Sequence, residues 1–383
     1  MKCKNLLAQI DALNEEYLQV WEDLASIESP TSFKEGVDAA CAYVIEWAKK
    51  KGFTVETFPQ PVSGDPVCIT MNPDSKECPV VLSGHMDTVH PVGFFGTPAV
   101  RRDEEKIYGP GVNDCKGGIA ASMLAMDALQ RCGYTKRPVQ LLIQTDEEVG
   151  SKISKKQTIG WICEKAKNAV AFLNTEPQLK GKAVIERKGI ARYQITVQGK
   201  AAHSSLCDSG ANAIAQAAHM ILELEKFKDR ENGITCNCGI ISGGSTPNTV
   251  PESCTFIADI RYVNDAQQQT AQDKIDQLCR TAFIPGCSAT WELMSYRVSM
   301  TLCQRNLDLL AAVNEIFAQE GLNILEAGKS FGGADAADAT AAGIPCLDCL
   351  GVWGGNNHSR DEFSYLNSLA ESAKFLGTIT YCI

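Results

Sequence analysis

Short apolar runs alternate with helical segments in the first half of the chain, and this alternation restricts the fold more than any other feature. Residues 80–82, 139–144 and 169–173 predict buried strands, and residues 119–131, rich in Ala, Met and Leu, predict a helix between two of them. Strands that alternate with helices are typical of an α/β domain with a mostly parallel sheet. The sequence therefore predicts an α/β fold.

The pattern changes near Ile185 and resumes after Met300. Between these points the apolar spacing predicts the order β-α-β-β-α-β, with strands at 191–197, 234–242, 254–262 and 289–293 and helices at 211–227 and 266–280. This order is that of a ferredoxin-like unit. We predict a catalytic domain made of residues 1–185 and 300–383, interrupted by an inserted domain at 186–299.

Composition argues against several classes of protein. A net charge of −10 disfavours nucleic acid or an anionic membrane surface as a partner, because both attract clustered Lys and Arg. No apolar run approaches the ~18 residues of a membrane helix, and the charged N-terminus does not read as a signal peptide. The 17 cysteines indicate reduced thiols in a chain of this length, so we expect a cytoplasmic protein.

A histidine and an aspartate follow the apolar run 80–82, in the segment GHMDT. Side chains two positions apart on a strand point to the same side, so His85 and Asp87 can face one site, or Asp87 can orient His85. The alternative is a buried histidine satisfied by its neighbour. This segment alone does not separate the two interpretations.

A glycine-rich segment, YGPGVNDCKGG at 108–118, precedes the predicted helix at 119–131. Its spacing fits neither the phosphate-binding loop of nucleotide hydrolases nor the dinucleotide-binding motif, which argues against a nucleotide-binding protein. The glycines permit a tight path that can direct Asp114 into a site. The alternative is a surface turn with an exposed aspartate.

Further acids follow the next two predicted strands. TDEEVGS follows 139–144, and its neighbouring carboxylates, Glu147 and Glu148, leave the backbone on opposite sides, so that one can bind a metal while the other faces a water. Glu176 follows 169–173, and His358 lies in the glycine-rich segment GGNNHS. Ligand sites in open α/β sheets lie at such strand ends. A solvated acidic turn is the alternative for the first segment.

Taken together, these segments place two histidines and several carboxylates after successive elements of one predicted domain. The set is His85, Asp114, Glu147, Glu148, Glu176 and His358. Two histidines and three carboxylates suit a pair of zinc ions, with one carboxylate as the bridge. Glu147 then remains as a general base.

The motifs GHxDTVxP, GxGxxDxKGG, TxEExGS and GxxHS, in this order, resemble the dinuclear zinc peptidase and deacylase family. Its members include glutamate carboxypeptidase, acetylornithine deacetylase, succinyl-diaminopimelate desuccinylase, aminoacylase and peptidase T. The resemblance spans nearly the whole chain. It implies a zinc-exopeptidase-like catalytic domain with a mostly parallel sheet and an inserted ferredoxin-like α+β domain that acts as lid and dimerisation domain.

The resemblance also implies a role for each residue of the first domain. His85 and Glu176 would bind one zinc ion, Glu148 and His358 the other, and Asp114 would bridge them. Asp87 would orient His85, and Glu147 would take a proton from the metal-activated water and pass it to the leaving amine. The peptide bond after Asp114 is expected to be cis.

Three residues of the inserted domain match the family's substrate-binding positions. His203, in GKAAHSS, would stabilise the oxyanion, and Asn248 and Arg261 would hold the free carboxylate of the substrate. Alternatives remain: His203 can cap the following helix, and Arg261 can pair with Asp259.

The sequence thus predicts a homodimeric hydrolase with two zinc ions, or cobalt or manganese in their place. It would cleave a peptide or amide bond next to a free carboxylate, as a carboxypeptidase or dipeptidase. The alternative is an N-acyl-amino-acid deacylase of the acetylornithine deacetylase or desuccinylase type. A catalytically silent scaffold is disfavoured because Asp114, Glu147 and His203 are all present. His90 is predicted to lie beside the site without binding metal.

Overall fold

The computed structural model describes residues 2–383. Its α-helices are α1 Lys4–Ser26, α2 Lys34–Lys50, α3 Lys116–Arg131, α4 Gln157–Ala166, α5 Ala213–Glu225, α6 Asp265–Arg280, α7 Gln304–Glu320, α8 Asp335–Ala341 and α9 Asn367–Cys382. Its strands are β1 Thr54–Thr57, β2 Val67–Met71, β3 Val80–His85, β4 Arg101–Arg102, β5 Lys106–Tyr108, β6 Val139–Gln144, β7 Ala171–Asn174, β8 Lys182–Arg187, β9 Gly189–Gln198, β10 Thr235–Gly243, β11 Ser253–Tyr262, β12 Ser288–Arg297, β13 Glu326–Ser330, β14 Cys346–Leu347, β15 Gly354–Gly355 and β16 Phe363–Tyr365.

These elements form two compact units. The first comprises Met1–Ile185, Leu302–Lys329 and Ala334–Ile383, and the second comprises Glu186–Thr301 and Ser330–Gly333. The short segment Ser330–Gly333 was predicted to belong to the catalytic domain. It packs with the second unit, where the carbonyl oxygen of Gly332 accepts a hydrogen bond from Arg187.

The first unit is built on a six-stranded sheet in the order β1-β2-β6-β3-β7-β14. Strands β6, β3, β7 and β14 run parallel. At one edge β2 pairs antiparallel with β6, and β1 pairs antiparallel with β2. Strand β6, which follows β3 in the fold of this sheet, lies on one side of β3, and the next strand, β7, lies on its other side. In open α/β sheets, ligands bind beyond the carboxyl ends of the strands where the strand order reverses in this way.

Burial patterns explain why these segments fold as they do. Every residue of β3 is buried, as expected for a strand covered on both faces. Helix α1 buries one stripe, including Leu6, Ile10, Leu13 and Tyr17 at helical spacing. Helix α3 is buried on nearly all sides, and its Ala, Gly and Ser residues permit close packing.

Near the C-terminus, strand β14 is limited to Cys346–Leu347, and two residues later Cys349 has a φ of 61°, outside the extended region. The final helix α9 begins at Asn367, because residues 363–365 pair with β5 as strand β16.

The second unit has the order β9-α5-β10-β11-α6-β12, with its four strands arranged β10-β11-β9-β12. All neighbouring strands are antiparallel. Burial in β11 alternates, because one face packs against α5 and α6. The predicted fold class, a mainly parallel α/β domain with a ferredoxin-like insertion, is therefore confirmed.

None of the helices in residues 2–383 combines the length and the apolar character that are needed to span a bilayer.

Candidate metal centre

The predicted ligands of the first unit lie beyond the carboxyl ends of three neighbouring strands. His85 is the last residue of β3, and Glu148 belongs to the short 3-10 helix Glu147–Val149 that follows β6. Glu176 lies two residues beyond the end of β7. The parallel arrangement of these strands brings residues that are up to 91 positions apart in sequence to the same edge of the sheet (176 − 85).

Asp114 lies just before the N-terminus of α3, where the helix dipole favours a negative charge. The Asp114–Cys115 peptide bond is cis, as the resemblance implies. The following glycines let the helix start close to β7: a Cβ atom on Gly118 would lie 2.1 Å from the carbonyl oxygen of Thr175. The motif DCKGG thus places Asp114 at the sheet edge because no side chain separates α3 from the neighbouring loop.

Two groups of potential ligands share Asp114. In the first, His85 Nε2 lies 3.0 Å from Asp114 Oδ1 and 3.7 Å from Glu176 Oε1. In the second, His358 Nε2 lies 3.4 Å from Asp114 Oδ2 and 3.3 Å from Glu148 Oε2. Within each group all the ligand atoms lie within 4.8 Å of one another. Asp114 therefore presents one carboxylate oxygen to each group.

Asp87 connects the first group to the acidic turn. The Nδ1 atom of His85 lies 3.0 Å from the carbonyl oxygen of Asp87 and 3.5 Å from its Oδ1 atom. The Asp87 carboxylate accepts the backbone N–H groups of Glu147 at 3.0 Å and Glu148 at 3.1 Å, and the hydroxyl of Thr31 at 2.7 Å. The carbonyl is thus the nearer partner of His85, while the carboxylate holds the turn. Thr31 belongs to no motif that the sequence offered.

The electrostatics of the site reflect burial and the two histidines. Burial raises the pKa of Glu148 to about 8. Hydrogen bonds to Asp114 and Glu148 raise the pKa of His358 to about 10. Burial opposes ionisation of Asp114, but the hydrogen bonds with His358 and His85 outweigh it and lower its pKa.

This donor set fits divalent cations. Imidazole nitrogens and carboxylate oxygens are ligands that zinc accepts, and cobalt and manganese accept them as well. The other ring nitrogen of His85 faces a carbonyl oxygen, which is the usual way to orient a metal-binding histidine. Glu147 is buried beside Glu148 but belongs to neither ligand group.

Cys115, next to Asp114, is buried, and its thiol contacts the carbonyl oxygen of Thr175 at 3.1 Å. Burial strongly raises the pKa of this thiol. Cys115 therefore does not present a nucleophilic thiolate.

The remaining predicted residues lie in the second unit, each with local partners. His203 is exposed, and its Nδ1 atom accepts the backbone N–H of Ser205 at 3.3 Å, which is the capping geometry of the alternative interpretation. Asn248 is exposed, and its backbone carbonyl oxygen accepts the backbone N–H of Ser204. The backbone segments that carry His203 and Asn248 are therefore hydrogen-bonded to each other.

Arg261 forms an ion pair with Asp259, through Nε to Oδ1 at 2.6 Å and Nη2 to Oδ2 at 3.2 Å. Asp259 also accepts a hydrogen bond from Arg192 at 2.7 Å. The single carboxylate of Asp259 therefore faces two guanidinium groups. It neutralises only one of their two positive charges, so the pair can still attract a further anion.

The structure adds two features that the sequence reasoning missed. Glu362, which is 1% exposed, accepts hydrogen bonds from the backbone of the loop that carries Asp114 and from His90. A third group of potential metal ligands, Cys3, Glu320 and Cys382, lies near the two ends of the chain. The spacing of these residues gave no signal, because they come from distant parts of the sequence.

Several known proteins are similar to this chain in sequence or fold. Residues 81–381 match the family described as peptidase family M20/M25/M40. The chain is 28% identical over 356 residues to carboxypeptidase G2 of Pseudomonas sp. (strain RS-16), covering 91% of this chain and 84% of that protein. It is 31% identical over 202 residues to acetylornithine deacetylase of Myxococcus xanthus, covering 49% of this chain and 51% of that protein.

Its fold is similar to the solved structure of a tripeptidase from Staphylococcus aureus, with a TM-score of 0.78 at 21% identity, covering 96% of this chain and 98% of that one. The family match covers well over half of the chain. The protein therefore belongs to peptidase family M20/M25/M40 and is a hydrolase that acts on peptide or amide bonds.

Proposed function

We propose that the protein is a dinuclear-metal hydrolase of the carboxypeptidase or dipeptidase type, which cleaves a peptide or amide bond adjacent to a free carboxylate. The observation that carries this proposal is the arrangement of Asp114 between two ligand groups with the buried Glu147 beside them. The relative named carboxypeptidase G2 aligns over 91% of the chain, which supports the peptidase assignment.

His85 and Glu176 would hold one cation, and Glu148 and His358 would hold the other. Asp114 would bind both cations. We expect zinc as the native metal, with cobalt or manganese able to replace it. When bound, such cations polarise the scissile carbonyl and lower the pKa of water. Asp87 would keep the ligands in place, because it contacts His85 and the backbone of Glu148.

Glu147 is the proposed general base. Its backbone N–H is held by Asp87 Oδ1 at 3.0 Å, and its side chain is 5% exposed. A carboxylate fixed in a partly desolvated position can take a proton from the attacking water and then donate it to the leaving amine. Its neighbour Glu148 is committed to the ligand group, so the two adjacent acids would have different tasks.

The second unit would supply the groups that contact the substrate. His203 would stabilise the negative oxygen that develops during attack, and Asn248 and Arg261 would bind the free carboxylate. The excess of guanidinium groups over carboxylates around Asp259 supports the role of Arg261.

We further propose that the protein is a homodimer formed through the second unit. Strand β10 is an edge strand of its sheet, and its Ile240 and Ile241 are 61% and 53% exposed. An exposed edge with apolar side chains is a ready surface for pairing with another chain. The expected cytoplasmic location and the absence of nucleic-acid and membrane partners stay predictions.

An N-acyl-amino-acid deacylase is the second candidate. The specific observation in its favour is the 31% identity to an acetylornithine deacetylase over 202 residues. The two candidates use the same metal ligands and differ in the group on the acyl side of the scissile bond.

A matched hydrolysis screen tests these candidates. Dipeptides that end in Glu, Gly or Ala would be compared with N-acetyl-Glu, N-acetyl-Gly and N-acetyl-Ala, and each with its C-terminal amide. We expect the dipeptides to be hydrolysed fastest and the amides to react poorly. Faster hydrolysis of the N-acetyl compounds would favour the deacylase, and equal rates for acids and amides would refute the requirement for a free carboxylate.

A further inference from the structure

The buried carboxylate of Glu362 lies against the backbone of the loop that carries Asp114. Its Oε1 atom accepts the N–H groups of Asn113 at 2.9 Å and Asp114 at 3.1 Å. Its Oε2 atom accepts His90 Nε2 at 2.9 Å and the N–H of Gly111 at 3.4 Å. Four donors from two segments of the chain thus converge on one carboxylate.

These contacts satisfy backbone groups that the tight loop leaves without partners in a helix or strand. An unpaired buried N–H is costly, and a hydrogen bond to an ionised acceptor is stronger than one to a neutral acceptor. Glu362 therefore determines the position of the Asp114 backbone. Because Asp114 presents one oxygen to each ligand group, any displacement of this backbone would disturb both groups at once.

A second network connects this loop to the loop that carries His358. The Nδ2 atom of Asn113 donates to Asn357 Oδ1 at 2.6 Å, and Asn357 Nδ2 donates to Asp114 Oδ2 at 3.4 Å. Ser364 Oγ donates to Asn113 Oδ1 at 2.8 Å. The chain that runs through Asn357, His358 and Glu362 thus holds Asp114 from its side chain and from its backbone.

His90 is held in place by its own packing. It is 5% exposed, its ring stacks on Phe94 at a centroid distance of 5.5 Å, and the ring of Phe95 meets it edge-on at 4.9 Å. With one donor to Glu362 and two aromatic neighbours, His90 has few ways to move.

We propose that Glu362 is a positioning residue for the metal centre and that His90 acts through Glu362. Glu362 holds the loop so that both oxygens of Asp114 face their ligand groups, and His90 holds the Glu362 carboxylate. This inference rests on the proposed role of Asp114 as a shared metal ligand. His90 would thus help to position the site, whereas the sequence predicted only that it lies beside the site without binding metal.

The test compares Glu362→Gln, His90→Phe and the double variant in the full-length protein. Glutamine keeps the shape of Glu362 but removes one acceptor, and phenylalanine keeps the ring packing of His90 but removes its hydrogen bond. Metal-free protein would be titrated with Zn²⁺ by calorimetry, and with Co²⁺ while the visible absorption spectrum is recorded. Asp114→Asn tests the proposed ligand itself, and Asp127→Asn, a buried acid on α3 outside the ligand groups, is the matched control.

We expect Glu362→Gln to weaken metal binding by about 10–100-fold and to alter the Co²⁺ spectrum, because partners of metal ligands typically have effects of this size. His90→Phe should weaken binding less, and the double variant should bind no more weakly than Glu362→Gln alone. Asp127→Asn should lower the melting temperature without changing either metal measurement.

Normal metal affinity and an unchanged spectrum in Glu362→Gln would overturn the inference. So would a double variant whose losses add fully, because His90 would then act independently of Glu362. If Glu362→Gln does not fold, normal metal binding by a folded His90→Phe variant would also overturn it. A wild-type protein that binds no metal, or an Asp114→Asn variant with normal affinity, would instead refute the proposed metal role of Asp114.

Discussion

The two units place their polar groups in different ways. In the first, residues from five separate segments converge, so that the ligand atoms of each group lie within 4.8 Å of one another, and most of these side chains are largely buried. In the second, His203 and Asn248 are exposed, and Arg261 pairs with an acid two residues away. The first unit thus brings its polar groups together in one cluster, whereas the second presents exposed or separately paired groups.

This difference separates two kinds of contribution to the proposed reaction. Buried ligands held by the fold should control metal binding, and their loss should be felt with or without substrate. Exposed groups with local partners should matter only when substrate is present. Variants in the two units should therefore separate metal content from turnover.

The largest effect is expected from Glu147, which lies in the cluster of the first unit without belonging to a ligand group. Glu147→Gln should lower kcat by about 10²–10⁴-fold, because a general base typically contributes that much. Metal content should stay at the wild-type level. Steady-state kinetics with metal analysis of the same sample would check this, and a variant with normal kcat would exclude the general-base role.

A variant in the second unit sharpens the comparison. His203→Ala should lower kcat by about 10²–10³-fold, the usual cost of removing one oxyanion donor, with normal metal content. His219→Ala, at an exposed histidine of α5, provides the control and should leave kcat unchanged. If His203 only caps the following short helix, its variant should show normal kcat as well.

Arg261 should affect substrate binding and not the rate of the chemical step. Arg261→Ala should raise KM for substrates with a free carboxylate by about 10–100-fold, which corresponds to the loss of a hydrogen bond to a charged group of 1.5–3 kcal/mol. Arg192→Ala removes the other guanidinium from Asp259 and is the matched comparison; it should raise KM less than Arg261→Ala, because Arg261 is the proposed contact of the substrate. Equal effects of the two substitutions would point to a structural role of the Asp259 cluster.

The smallest effect concerns stability alone. Burial opposes ionisation of Asp127, but hydrogen bonds from Lys51, Arg131 and Tyr17 outweigh it and lower its pKa. Since the folded pKa lies below the unfolded one, the resulting stability is present above about pH 4 and is lost as the pH falls through the folded pKa. Asp127→Asn should lower the free energy of unfolding by about 1–3 kcal/mol at pH 7.

Denaturant unfolding from pH 7 down to pH 3 checks this prediction. The difference between the variant and the wild-type protein should shrink as the pH falls. A difference that stays constant over the whole range would show that ionisation of Asp127 contributes nothing to stability.

The fold class and the candidate metal ligands could be predicted from the sequence because both depend on local patterns. Apolar strand runs and the acids or histidines that follow them can be recognised within a few residues, as for His85 and Glu148. The partners of these groups could not be found in this way. Thr31 and Glu362 contact Asp87 and the Asp114 loop across 56 and 248 positions of sequence.

The sequence does indicate that the Asp114 loop needs a buried acceptor, but it does not identify Glu362. The glycine-rich loop at 108–118 leaves several backbone N–H groups without partners in a helix or strand, and a buried loop needs acceptors for them. The sequence contains many acids that could serve, so only the folded chain identifies which one does.

The most direct test of the account is metal analysis of the purified protein together with its activity. The proposed function predicts close to two divalent ions per chain, loss of activity on treatment with a chelator, and recovery when Zn²⁺ is added back. Asp114→Asn should bind fewer ions than the wild-type protein and should be inactive. A metal-free protein with full activity would contradict the central claim.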